Sequence, residues 1–310
     1  MTSQQVVRSG TVPPRVATAI VVTVVVWASA FVVIRGVSVD ISAGALALAR
    51  LLVGSVLLGV VLIGRHWVAP TGREWLLILG FGAGWFGAYN IALNTAERTL
   101  DAGTAAMIVN IAPILIAAGA GIFLRERIPR WLAVGAGIAF LGVVLIGIST
   151  GLTGFGDGTG VAWCLLAALT FAAGVLFQKP ALRRLPSGQV TWLGCVAGAL
   201  VCLPFAGDLI REVQVAPLPS ILGALYLGVF PTALAFSTWA YALSTMPAGQ
   251  LGVTTYVVPA IAILLGFVAF AEIPTPLAVV GGAVCLVGVA VSRRRDTTAG
   301  GHGPQQNLAE

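Results

Sequence analysis

Charge is scarce in this sequence. Only 9% of its 310 residues are charged and 58% are hydrophobic, whereas an ordinary soluble domain is about 25% charged. So little polar surface cannot cover a particle of this size in water. A soluble enzyme is excluded, and an all-α polytopic membrane protein is expected. Other absences narrow the chemistry. No GxxxxGK[ST] segment is present, so nothing offers ATP phosphates a P-loop. The two histidines, His66 and His302, fall in a loop and in the C-terminal tail, which leaves no HExxH chemistry and no imidazole metal site. The sequence therefore predicts no catalytic residue, no metal and no cofactor. Four cysteines (Cys164, Cys195, Cys202 and Cys285) lie in apolar runs without a CxxC pair. They read as buried thiols, not a disulfide framework. The eleven acids fall in loops, at helix ends or in the tails. A carboxylate buried in mid-span is the usual means of coupling protons to cation transport. Its absence favours a neutral, zwitterionic or anionic solute.

Long apolar runs are what the chain does have. They recur at about 16–36, 42–64, 75–96, 102–124, 131–150, 159–178, 188–206, 217–243, 249–270 and 276–293. Each can cross a ~30 Å hydrocarbon core as a helix. None alternates strictly, which argues against a membrane barrel. The first run is too long for a cleaved signal peptide and is expected to remain as a helix. The net charge of +6 lies between the runs, so it reads as membrane orientation and not as nucleic-acid binding. With the N-terminus inside, thirteen Lys and Arg fall in inside segments, and Arg35, Arg98 and Arg211 fall outside. Both termini are then expected in the cytoplasm, with the protein in the cytoplasmic (inner) membrane. The same count favours ten spans over nine, because an odd number would put Arg293–Arg295 outside.

The chain also repeats itself. At an offset of 146 residues Gly82 falls on Gly228, Ala102-Gly103 on Ala248-Gly249, Pro113 on Pro259 and Glu126 on Glu272. Proline and glutamate are rare enough here for their matches to weigh more than those of glycine. Each copy holds five apolar runs, an odd number, so the second copy enters the membrane from the opposite side. Ten transmembrane helices as two inverted five-helix repeats are expected, an architecture of secondary transporters with the substrate site between the halves. The boundaries read as a 1–15 cytoplasmic tail, repeats at 16–150 and 159–293, a 151–158 linker and a disordered cytoplasmic tail at 294–310.

Several short segments act in combination: Trp27-Ala-Ser-Ala-Phe31, Ala49-Arg50-Leu-Leu, Tyr89-Asn90-Ile-Ala-Leu, Pro113 followed by Leu124-Arg-Glu126-Arg, then Trp239-Ala-Tyr-Ala-Leu243, Pro259 and Ala271-Glu272. In this order and spacing the chain resembles the drug/metabolite transporter superfamily, specifically its EamA-type ten-helix carriers, over about residues 16–293. The resemblance implies an inner-membrane secondary carrier, often an exporter of amino acids or other small metabolites. A lipid or lipid-linked sugar flippase of the same fold and proton-coupled drug efflux are the alternatives. The expected partners are a small-molecule metabolite and the lipid bilayer. Oligomeric state is not legible.

Candidate site residues follow from polar and aromatic side chains inside the runs. Arg50 lies about eight residues into the second span, where a charge is costly. Two roles are open to it: bidentate binding of a substrate carboxylate, or snorkelling toward the interface. Tyr89 and Asn90 are candidates to line a solute cavity, with interhelical hydrogen bonding the alternative for the amide. Trp27, Trp163, Trp239 and Tyr256 lie too deep for an interfacial belt and are candidate substrate-binding residues. Pro113 and Pro259 are expected as mid-span kinks acting as hinges, since proline withholds the N–H that the fourth preceding carbonyl needs. Glu126 and Glu272 end helices on opposite faces and are expected as gates. Gly82-Ala-Gly84-Trp-Phe-Gly87 matches GxGxxG but lies inside a span, so it is no dinucleotide loop.

Overall fold

The computed structural model describes residues 12–99, 102–149, 158–270, 276–292 and 294. Among them all regular structure is helical: α1 (Pro14–Val37), α2 (Ala43–Leu62), α3 (Gly72–Phe81), α4 (Tyr89–Ala96), α5 (Ala102–Val109), α6 (Ala112–Phe123), α7 (Arg130–Ser149), α8 (Gly158–Ala181), α9 (Ser187–Cys202), α10 (Ala206–Val215), α11 (Leu218–Leu227), α12 (Ala235–Thr245), α13 (Ala248–Val253), α14 (Val258–Phe270) and α15 (Pro276–Ser292). Seven stretches of the described chain are long and apolar enough to cross a membrane. Residues 112–123, 130–142 and 279–292 form shorter apolar helices. The protein is a multi-pass membrane protein. Glu272, most of both expected tails and nearly all of the expected linker lie outside the described residues.

Local chemistry accounts for the helix starts. α1 opens with Pro14 in its first turn, where the missing N–H leaves no bond unmade. α3 opens on a capping box. Thr71 Oγ1 accepts from the Glu74 backbone N–H, and Glu74 Oε2 accepts from the Thr71 N–H at 2.8 Å. Arg184 pairs with the same carboxylate from the loop after α8. At the opposite end of the bundle Glu212 of α10 accepts from the Ser42 N–H at 2.8 Å. That places a carboxylate at the positive end of the α2 dipole.

The element boundaries repeat. α3 runs into a π-helical stretch, Gly82–Ala88, and then into α4. α11 runs into a second π stretch, Gly228–Leu234, and then into α12. Each start and end in the second series, apart from the end of α12, lies 146 residues after its counterpart. The same offset relates the starts of α5 and α13, α6 and α14, and α7 and α15.

Packing repeats too. A Cβ on Gly142 of α7 would lie 2.6 Å from the Cys285 nitrogen of α15, and one on Gly288 of α15 would lie 2.6 Å from Ala139 Cα of α7. Residues 139 and 285 are counterparts at the 146 offset, as are 142 and 288, so the contact is reciprocal. A second pair behaves alike. Gly82 sits against Ala197 of α9, and Gly228 sits against Val53 of α2. Each half thus lays its π stretch on the second helix of the other. Small residues permit this close approach, which is the general rule for helix packing in lipid.

The prolines differ from expectation. Neither sits in the interior of a regular α-helix. α5 ends at Val109 and Pro113 sits in the first turn of α6, while Pro259 sits in the first turn of α14, after a 3₁₀ turn at Thr254–Val257. The helix breaks before the ring because the first turn is where the absent N–H goes unmissed.

Candidate functional site

Aromatic rings fill the middle of the bundle. The Trp27 ring lies 5.0 Å from Trp239, 5.4 Å from Phe236 and 5.8 Å from Trp85, centroid to centroid. Trp85 stacks on Phe171 at 4.6 Å. Against this cluster lies a cavity. α1 contributes Trp27, Phe31 and Ile34 to its wall, α4 contributes Tyr89 and Leu93, and α2 contributes Arg50. Asn110 and Thr255 come from the two helix breaks. Ile34 and Leu93 lie near the ends of α1 and α4, so the cavity extends from mid-bundle toward the end where α1 finishes.

Arg50 is the charge in this wall. It is 4% exposed, so it does not snorkel out of the bundle. Its Nε donates to Thr232 Oγ1 at 3.0 Å. The second π stretch explains how that acceptor comes to be there. Pro231 has no N–H for the Leu227 carbonyl one turn earlier, and the Thr232 hydroxyl donates to that carbonyl at 2.8 Å. Its lone pairs then face Arg50. The Pro231 carbonyl accepts from Trp27 Nε1 at 3.4 Å. One Pro-Thr pair therefore orients both the cation and an aromatic of the wall. The Arg50 Nη groups have no hydrogen-bond partner among the described residues. A planar fork of donors in a largely apolar cavity suits a carboxylate.

The other sequence candidates scatter. Trp239 is buried below Trp27 and does not line the cavity. Asn90 is buried, but its Nδ2 donates to the Phe86 carbonyl of its own helix at 2.7 Å. That bond turns the amide along the helix and away from the cavity wall. Tyr256 packs in a separate apolar cluster with Leu132, Ala136 and Cys285. It lies one residue after Thr255, and the tight 3₁₀ turn sends neighbouring side chains in different directions. Trp163 is 38% exposed on the outside of the bundle. It lies in the second turn of α8, near the helix start and not deep in the span, and its helix face is the outer one. Residues that the sequence reading passed over include Thr232, Phe171, Phe236, Asn110 and Thr255. The visible signal for Thr232 was a Pro-Thr pair inside an apolar run, and for Asn110 an amide just before Pro113.

At the other end of the bundle the chain is clasped. Lys179 Nζ, at the end of α8, donates to the carbonyls of Leu243 and of Met246, the latter at 2.6 Å. Glu126 Oε2 accepts from the Gly249 N–H of α13 at 3.5 Å. A cation thus meets the C-terminal carbonyls of α12 and a carboxylate meets the first turn of α13, each matched to the local backbone dipoles.

Comparison with known proteins agrees with this architecture. The profile of the EamA-like transporter family matches residues 15–148 and again 158–294. A protein of Streptantibioticus cattleyicolor named "Probable terminal-alkyne amino-acid exporter" is 34% identical, covering 89% of this chain and 93% of its own. The uncharacterized transporter YdfC of Bacillus subtilis is 34% identical over 85% of this chain and 86% of its own. A protein of Salmonella typhimurium named "Probable amino-acid metabolite efflux pump" is 25% identical over 70% of this chain and 76% of its own. One solved crystal structure superposes with a TM-score of 0.71 at 19% identity, covering 89% of this chain and 96% of that one, a likeness of fold.

Proposed function

The chain belongs to the EamA-like transporter family and is a transporter, not an enzyme; from that premise we propose that it is a secondary carrier exporting small metabolites, amino acids among them, across the cytoplasmic membrane. Arg50 carries the reading: one buried guanidinium in an aromatic and aliphatic cavity selects a solute with a carboxylate and an apolar body. The exporter names of relatives at 34% and 25% identity support the direction and the substrate class. Trp27, Arg50 and Tyr89 form the substrate wall, with Trp239 beneath it as support.

The proposed architecture is ten transmembrane helices in two inverted five-helix repeats, residues 16–150 and 159–293, with both termini in the cytoplasm. The shared element boundaries and the reciprocal glycine contacts support the repeat. Transport proceeds by alternating access. The helix breaks before Pro113 and Pro259 serve as hinges, because equivalent interruptions in both halves let each half bend at the same height. The clasp of Lys179 and Glu126 holds the cytoplasmic end closed. Glu272, the counterpart of Glu126, takes the same part at the outer end.

The test is counterflow of radiolabelled L-amino acids in proteoliposomes. Trp27→Ala is expected to lower flux at least about tenfold through lost apolar contact with the solute, while Trp163→Ala leaves it within twofold. Equal flux in the two variants would move the site away from this cavity. A second variant examines the clasp. Lys179→Met removes two charge-assisted hydrogen bonds, each worth about 1.5–3 kcal/mol. In a Leu243→Cys background, where that position is buried, maleimide labelling is expected to rise about tenfold or more. Unchanged labelling counts against the gate.

A further inference from the structure

Glu97 caps α4 at the end of the Gly72–Ala96 span, a helix-end acid like several others in the sequence. The fold treats it differently. It is 8% exposed, and neither carboxylate oxygen has a hydrogen-bond partner among the described residues. Tyr89 and Leu93 line the cavity, and Glu97 continues their row along α4 at i+4 spacing. An ionised carboxylate in such surroundings loses its hydration without replacement, which disfavours the charged form. Burial accordingly pushes the Glu97 carboxyl well above the usual carboxylate range, while Arg50 of α2 and Arg35 of α1 pull it back. Among the described residues, the other titratable groups coupled to it are Tyr89 of its own helix and Cys164 of α8, both uncharged near neutral pH at their ordinary values. Glu97 and Arg50 feel each other's charge without a hydrogen bond between them.

We propose that Glu97 is a proton-binding site that sets the charge of the Arg50 site. With Glu97 protonated, Arg50 faces the cavity as an uncompensated cation and takes the carboxylate of a substrate. With Glu97 ionised, the charge of Arg50 is already balanced and a second carboxylate is turned away. The inference rests on the cavity being the substrate site and deepens that reading: the substrate class is carboxylate-bearing, and its binding brings one proton from solvent onto a Glu97 oxygen. Release of the substrate returns that proton. This linkage holds for either direction of transport. Above the Glu97 midpoint, affinity falls about tenfold per pH unit, the slope for one linked proton.

The experiment uses purified full-length protein in detergent. Infrared titration of the carboxyl band locates the Glu97 midpoint without any ligand, and Glu97→Gln identifies the band by its loss. Arg50→Leu is expected to raise that midpoint by at least one pH unit, and Arg50→Lys to hold it near the wild-type position. An unchanged midpoint in Arg50→Leu, or a band that titrates where ordinary carboxylates do, overturns the proposal. Calorimetry with L-leucine between pH 6 and pH 8 supplies the second arm, with L-leucinamide as the probe lacking a carboxylate. Wild-type affinity for L-leucine is expected to fall with pH on the predicted slope. Glu97→Gln is expected to bind at the wild-type low-pH affinity throughout, and an unaltered pH dependence in that variant overturns the proposal. If no amino acid binds the wild-type protein, the substrate reading fails, and the infrared arm still decides whether Glu97 and Arg50 are coupled.

Discussion

Replacing Arg50 with leucine is expected to abolish carrier-mediated amino-acid flux in proteoliposomes, by at least about a hundredfold. Leucine removes the cationic donors that a carboxylate in this cavity would meet, and a charge-assisted pair is worth about twice a neutral hydrogen bond. Arg50→Lys is expected to restore little of the flux. An ammonium has no fork with which to hold Thr232 and a carboxylate at once, as guanidinium Nε and Nη groups can. Thr232→Val separates positioning from charge. It deletes the acceptor for Arg50 Nε at 3.0 Å and leaves the cation in place, so a loss of about tenfold is expected, from one hydrogen bond to a charged group at about 1.5–3 kcal/mol. Arg50→Leu with wild-type flux, in protein that remains monodisperse, places the site elsewhere.

The seam between α7 and α15 should be the other sensitive point. Gly288→Leu is expected to prevent folding or to lower the thermal unfolding midpoint in detergent by more than 10 °C. Even a Cβ at Gly288 would lie 2.6 Å from Ala139 Cα. The obstacle is backbone, which cannot swing aside as a side chain can. Overpacking a tight core costs about 1–3 kcal/mol for a few methylenes, and here the whole helix pair must separate. Gly137 is the control: on the partner helix α7, a Cβ there meets nothing within 4 Å, so Gly137→Ala should be neutral or slightly stabilising, since alanine is the better helix former. Similar midpoints for Gly288→Leu and Gly137→Ala would show that the seam is looser than its geometry implies.

Much of this was legible in one dimension, and the reasons are physical. Lipid enforces long apolar runs, and helices satisfy their own backbone there, so membrane class and helical content follow from composition. The 146-residue offset was visible in Pro113 and Pro259, and the helix breaks fall at those rings. Arg50 and Trp27 stood out because charge and a deep tryptophan are rare inside apolar runs, and both line the cavity. Trp163 stood out for the same reason and faces outward. In a helix rich in glycine and alanine nothing in the local sequence tells the bundle face from the lipid face, because both are apolar. Asn90 differs in another way: its own helix offers the Phe86 carbonyl to its Nδ2, a local bond that competes with a role in the cavity.

The sequence by itself determined the solvent this protein lives in, its helices, its internal repeat and the scarcity of charge that makes each buried ion consequential. Tertiary structure decided which faces meet. Only packing sets Thr232 behind Arg50 across 182 residues of chain, joins Trp27, Trp85 and Phe171 from three elements, and buries Glu97. By position in the sequence Glu97 was one more acid at a helix end. Desolvation is a property of everything packed around a group, contributed by residues far away in the chain, and no reading of the group's own neighbours in sequence contains it.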